Sequence, residues 1–233
     1  MTRDGRSFDD LPSGARVGTS SARREAFLRA IRPDLVYLPI RGNVETRYHK
    51  LRDGQYDAII LAMAGLERLG LSVPLVPFDP SVLPPAPGQG ALAIQVRDEA
   101  PGTRALLEAL HHPPTGYAVA AERYAMAALE GGCRLPVAAL GTPVLWVRSH
   151  GTAAPHDEHA ERVGSASADD QRSEEGHLHL LVAVAAADGS RVLRATGIGP
   201  IDRPEALAES IVRRLRDQGA DTLTRGQLES MSV

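Results

Sequence analysis

The sequence predicts an α/β protein: a βαβ domain joined through a proline-rich crossing to a small α+β unit. Three observations lead there. Strand-like apolar runs alternate with helix-like segments from Ala15 to Leu69, the pattern of βαβ units on a parallel sheet. Six prolines fall among the 14 residues from Pro74 to Pro87, an extended and semi-rigid stretch suited to a crossing between domains. Two apolar runs joined through Asp188-Gly189 then precede an amphipathic helix near the C-terminus, as in an α+β unit.

Taken in order, Ala15 to Gly18 reads as a short strand entering a turn, and Thr19-Ser20-Ser21 offers N-cap hydroxyls. The helix that follows carries Phe27, Ala30 and Ile31 and is stopped by Pro33. Leu35 to Ile40 is a buried-type strand, and Arg41-Gly42-Asn43 turns into a helix with Val44, Tyr48 and Leu51 that closes near Gly54. Ala58 to Ala62 is a continuous apolar strand, and Gly65 to Leu69 a helical turn. After the crossing come Gly88-Gln89-Gly90 and an apolar run, Ala91 to Val96, expected to form a strand. Helices are expected over Thr103–Leu110 and Thr115–Glu130, the second stopped by Gly131-Gly132. Val137–Leu140, Leu178–Ala185 and Arg191–Ala195 read as strands, and the last helix takes Asp202 as N-cap and Pro204 at N1. The stretch from His150 to Gly176 is rich in Ser, Asp, Glu, Ala and Gly, and is expected to be a mobile surface insertion.

Composition narrows the classes. With 233 residues, 43% hydrophobic and 24% charged, the chain has the length of one large or two small globular domains. No apolar run approaches the roughly 20 residues of a membrane-spanning helix, and Met1–Asp10 lacks the apolar stretch of a secretory signal. A single cysteine excludes a disulfide framework, so the expected location is cytoplasmic. The net charge of −3 is too mild for a nucleic-acid or membrane binder. It is unevenly spread: residues 1–70 hold 12 Lys+Arg against 9 Asp+Glu, and 25 of the 26 basic residues are arginine. The planar guanidinium fork suits bidentate recognition of carboxylate or phosphate.

Three constellations could carry chemistry. Gly18-Thr19-Ser20-Ser21-Ala22-Arg23-Arg24 lies between a strand and a helix, where free N–H groups and the helix dipole favour an anion. The blander reading is a Ser-capped helix with surface arginines. Arg41-Gly42-Asn43-Val44-Glu45-Thr46-Arg47 places two more arginines at the next strand-to-helix junction, hence at the same sheet edge. The chain has neither G-x-x-x-x-G-K-[ST] nor G-x-G-x-x-G, so several carboxylates suit that edge better than pyrophosphate. Cys133, in Glu130-Gly131-Gly132-Cys133-Arg134, follows two glycines beside an arginine, a setting that exposes a thiol and favours its thiolate. A small buried hydrophobe is the ordinary alternative for a lone cysteine. The histidines show no zinc-type spacing.

Together these segments strongly resemble the porphobilinogen deaminase (hydroxymethylbilane synthase) family. The matching pieces are Val17 to Arg24, Leu38 to Val44, Tyr56 to Leu66, Pro87 to Ala91 and Glu130 to Cys133, in the family's order over roughly residues 10 to 220. The resemblance implies an enzyme that joins four porphobilinogens head to tail, releasing ammonia, to give a linear tetrapyrrole. It implies a dipyrromethane cofactor tethered by a thioether to Cys133, an anchor that does not turn over. It implies that Thr19, Ser21, Arg23, Arg24 and Gln89 contact the cofactor. Arg41, Arg47, Leu61, Ala62 and Gly65 are implied on the substrate side, the arginines through carboxylates and the others by lining the cleft. No metal, nucleic acid or membrane is implied.

The implied fold is a periplasmic-binding-protein-like βαβ domain over about 12–82, a hinge and returning segment over 83–109, and a C-terminal domain over 110–233 that carries the cysteine. The family's first domain begins with about a hundred further residues before the segment matching Val17. That half supplies an aspartate for the pyrrole N–H groups, and no residue here is assigned its role; Asp57 matches a structural position. The expectation is therefore a chain lacking most of the first domain, inactive or poorly soluble alone, with Ala91–Val96 short of sheet neighbours. A separate chain supplying the missing half is one possible partner. The alternatives are a non-catalytic binder of pyrrole or other polycarboxylate ligands and, more remotely, a solute-binding module.

Overall fold

The computed structural model describes residues 1–70, 73–129, 136–144 and 176–223. The first part alternates β1 (Arg16–Gly18), α1 (Ala22–Ile31), β2 (Val36–Leu38), α2 (Val44–Arg52), β3 (Ala58–Ile59) and α3 (Met63–Arg68). Its three strands form a parallel sheet in the order β2-β1-β3. Side-chain caps start both longer helices: Ser21 accepts from the N–H of Arg24, and Asn43 from that of Thr46. Val17, Leu28, Tyr37 and Ile60 pack on one side, and Ile40, Leu51, Tyr56 and Ile59 form a second cluster.

Asp57 is bound into this sheet. Its carboxylate takes the backbone N–H of Arg16 at 2.9 Å and two guanidinium N–H groups of the same residue at 3.1 Å each. Hydrogen bonds to Arg16 hold its pKa below the usual carboxylate value. The stabilisation is therefore present above that usual value and lost as pH falls through the depressed one. The pair is partly exposed, so Asp57→Ala is expected to cost about 1–2 kcal/mol in urea unfolding at pH 7, and less as pH falls through the depressed value.

The second part contains α4 (Pro101–Glu108), α5 (Pro113–Ala128), β4 (Val137–Val144), β5 (His177–Ala185), β6 (Val192–Pro200) and α6 (Pro204–Asp217). An antiparallel sheet β4-β5-β6 buries one face under α5 and α6, with Leu129, Leu178, Leu180, Ile211 and Leu215 at the centre of the core. The other face meets α1: Ala26 and Phe27 pack on Ala138, Ala183 and Ala185, and the Arg194 guanidinium lies 5.5 Å from the Phe27 ring centre.

The α/β class is as the sequence predicts, and several details differ. Ala91–Val96 forms no strand: Leu92 and Ile94 are exposed, and among the described residues no strand pairs with them. A strand needs a neighbour for its backbone groups, and apolar alternation alone does not provide one. Asp202 is not the cap of α6; Arg203 occupies that position without a side-chain cap bond. β3 stops at Ile59, short of Ala62, whereas β4 and β6 run on to Val144 and Pro200. Cys133 and nearly all of the 150–176 stretch lie outside the described residues. Among the described residues, no helix is long and apolar enough to cross a membrane.

Candidate anion-binding site

In a parallel sheet every strand ends at the same edge. The segments after β1 (Thr19–Arg24), β2 (Arg41–Arg47) and β3 (Leu61–Gly65) therefore share one rim. The chain leaves β1 for β2 on one side and then crosses to β3 on the other. The loops after β1 and β3 part at that reversal and leave a crevice, as open α/β sheets do. A cavity of about 260 Å³ lies there, walled by Arg23, Arg24, Ile60, Leu61 and Met63.

Arg23 is 9% exposed and donates to the carbonyl of Pro84; Arg24 donates to that of Ile60 at 3.0 Å. Neither has an acidic partner among the described residues, and Glu25, the acidic residue in the first turn of α1, is bound to Arg29 at 2.9 Å. Burial, and secondarily the neighbouring Arg24, pushes the Arg23 pKa down to about 10. Arg24 is lowered by burial and then by Arg47. Arg23 and Arg24 stay cationic at neutral pH, and both sit in the first turn of α1, where the dipole is already positive. The N–H groups of Ala22 and Arg23 have no partner among the described residues. The rim is an uncompensated positive locus that an anion would relieve.

The hydroxyls are more committed than their chemistry suggests. Ser20 bridges both ways to Ile40, donating to its carbonyl at 2.6 Å and accepting its N–H at 3.0 Å. Thr19, 2% exposed, accepts from the N–H of Ser21 at 3.3 Å, while the Ser21 oxygen caps α1 and keeps its own proton to donate. After β2, Gly42 turns at φ +117, where a Cβ would come within 2.7 Å of Thr46. Arg47 donates back to the Gly42 carbonyl at 2.8 Å, and the exposed Arg41 guanidinium has no partner among the described residues. Arg23, Arg24, Leu61 and Gln89 line the cavity; Thr19, Ser21, Arg41, Arg47, Ala62 and Gly65 surround the rim without lining it.

Sequence reasoning missed the far wall. Val76, Phe78, Leu83 and Pro85 close the cavity from the proline-rich segment, and the apolar residues set between its prolines were the available signal. No Asp or Glu lines this cavity among the described residues.

A family model described as "Porphobilinogen deaminase, dipyromethane cofactor binding domain" matches residues 1–105, a range that includes the arginine rim but not Cys133. The chain is 42% identical over 221 residues to "Porphobilinogen deaminase" of Desulforudis audaxviator, covering 94% of this chain and 62% of that protein. It is 41% identical over 224 residues to the Corynebacterium efficiens protein of the same name, covering 96% and 66%. A chloroplastic relative from Euglena gracilis is 54% identical over 137 residues, covering 57% of this chain and 28% of that protein. The chain thus spans less than two thirds of the length of these relatives.

Proposed function

The chain belongs to the porphobilinogen deaminase family, and from that premise we propose that it carries the tetrapyrrole-building site of a hydroxymethylbilane synthase. On this reading the cofactor is a dipyrromethane held covalently by Cys133. The substrate is porphobilinogen, and the product is a linear tetrapyrrole formed with release of ammonia. The observation that carries the reading is the pair Arg23 and Arg24, buried or half-buried at a crevice with no acidic partner among the described residues. Each pyrrole bears two carboxylates, so the donor set fits the group. The apolar wall from Val76 to Leu83 fits the ring face.

A bound dipyrromethane supplies the free pyrrole position to which the next ring is joined. The chain's residues bind and orient. Arg23 and Arg24 hold carboxylates inside the crevice, Ser21 donates its hydroxyl at the helix start, and Arg41 and Arg47 extend the positive rim along the sheet edge. Gln89 offers amide contacts from the opposite side. Thr19, Leu61, Ala62 and Gly65 shape the cleft between them. The reading takes 12–82 as a periplasmic-binding-protein-like domain, 83–109 as hinge and returning segment, and 110–233 as the cysteine-bearing domain of a cytoplasmic enzyme. The exposed Leu92, Ile94, Leu106 and Leu110 are read as the face that a first-domain half covers, including one supplied as a separate chain.

One observation favours a second reading, a polycarboxylate binder without catalysis: among the described residues the crevice offers no carboxylate to balance a developing cation. Ammonia release from porphobilinogen separates the two. The chain mixed with the part of the Desulforudis audaxviator relative that it does not match is expected to release ammonia, and the chain alone is not. Porphobilinogen binding with no ammonia from either sample would favour the binder.

A further inference from the structure

Glu122, on α5, is 6% exposed and has no cationic partner among the described residues. Its two oxygens serve two separate parts of the chain. Oε2 accepts the N–H of Gly88 at 2.6 Å, and Oε1 accepts that of Gly141, on β4, at 2.7 Å. Gly88 has φ +72 and opens a tight turn in which Gln89 N–H bonds Ala86 and Ala91 N–H bonds Gly88. Gln89 and Gly90 are exposed, so water can reach this turn. A buried carboxylate is not needed to satisfy its backbone; an unpaired one is costly, which argues for a positional role.

Gln89 links this group to the arginine crevice. It lines that cavity and also a second one, of about 190 Å³, which Glu122, Val119 and Gly141 wall from the other side. The same segment is held at Pro84 by Arg23, at Pro85 by the N–H of Ala139 and at Val82 by Arg194. Among the described residues, only Glu122 grips it within the turn that carries Gln89.

We infer that Glu122 is a positioning residue: its carboxylate locks the Gly88–Ala91 turn onto α5 and β4 and so fixes where Gln89 stands at the crevice. The effect on ligand rests on the function proposed above; the lock itself does not. Burial raises the Glu122 pKa against the opposing pull of its two N–H donors. A protonated carboxyl gives up one acceptor, so the lock loosens as pH falls through the raised value. Neither β4 nor the Leu83–Ala91 segment has a titratable side chain. Arg123 on α5 is exposed, and His179 on β5 stands opposite Thr142, yet no charged side chain contributes to the shift.

Hydrogen-exchange mass spectrometry of the full chain tests the lock on peptides covering 86–91 and 137–142. In Glu122→Gln, protection at both is expected to fall about tenfold while α6 stays protected. Glu122→Asp, too short to reach both donors, is expected not to rescue. In the wild type, corrected for intrinsic rates, the two peptides are expected to lose protection together on acidification, a readout that needs no variant. Loss at only one peptide, or a wild-type pH profile that is flat, would overturn the lock. The porphobilinogen Kd is expected to rise several-fold in Glu122→Gln; an unchanged Kd with a loosened turn would overturn the link to Gln89. A wild type that binds no porphobilinogen sinks the functional reading, and exchange still decides the lock.

Discussion

On the function proposed above, Arg23→Met and Arg24→Gln are each expected to weaken porphobilinogen binding about ten- to a hundredfold, read by titration calorimetry. One charge-assisted hydrogen bond to a carboxylate is worth about 1.5–3 kcal/mol, and these guanidiniums lack an acidic partner among the described residues to dilute that attraction. The stability effect runs the other way. Burial lowers the pKa of both arginines, so at neutral pH the folded state carries charges that the unfolded chain solvates better. Arg23→Met also gives up the bond to the Pro84 carbonyl, which offsets part of the gain. The melting midpoint is therefore expected to hold or rise while affinity falls. Because both arginines serve one crevice, the double variant should fall short of the summed effects. Equal affinity in wild type and both variants would place the ligand elsewhere.

Gly189→Ala is expected to cost about 2–4 kcal/mol in denaturant unfolding. Gly189 closes the β5–β6 hairpin at φ +75, and a Cβ there would lie 2.5 Å from Cβ of Arg29 and 2.7 Å from the backbone nitrogen of Ala30. Both contacts belong to α1, which cannot yield without disturbing the packing of Phe27 on Ala138 and Ala183. Gly14→Ala is the control. Its φ is +78 with nothing within 4 Å of the added carbon, so only the backbone cost of about 1 kcal/mol applies. A similar loss in both variants would mean that the hairpin does not bear on α1.

The local logic of the parallel sheet was legible. Ser21 and Asn43 cap their helices through side chains, as Thr19-Ser20-Ser21 and Arg41-Gly42-Asn43 suggest. Parallel strands put their following loops on one rim, so the sequence alone groups the arginine junctions. Strand lengths were not legible, because pairing decides them. Ile60 still donates its N–H to Gly18, but its carbonyl turns to Arg24 and the chain leaves the sheet. Gly197 and Gly199 look like strand breakers, yet each lies under α6 with Leu207 within 3.4 Å of an added Cβ. Ala91–Val96 failed in the opposite sense, its apolar pattern finding no partner strand among the described residues. Glu122 gave no signal at all: within Ala121-Glu122-Arg123 it reads as a solvated helix charge. Its role depends on Gly88 and Gly141, 34 and 19 residues away.

The tether at Cys133 is the centre of the functional proposal, and intact-mass spectrometry reaches it without any assay of turnover. The chain is combined with the part of the Desulforudis audaxviator relative that it does not match and excess porphobilinogen, then its mass is compared with that of Cys133→Ala treated alike. The expected result is a wild-type mass raised by two linked pyrrole units and a Cys133→Ala chain at its bare sequence mass. A wild-type chain that also stays at its sequence mass, or a Cys133→Ala chain that gains the same adduct, would contradict it.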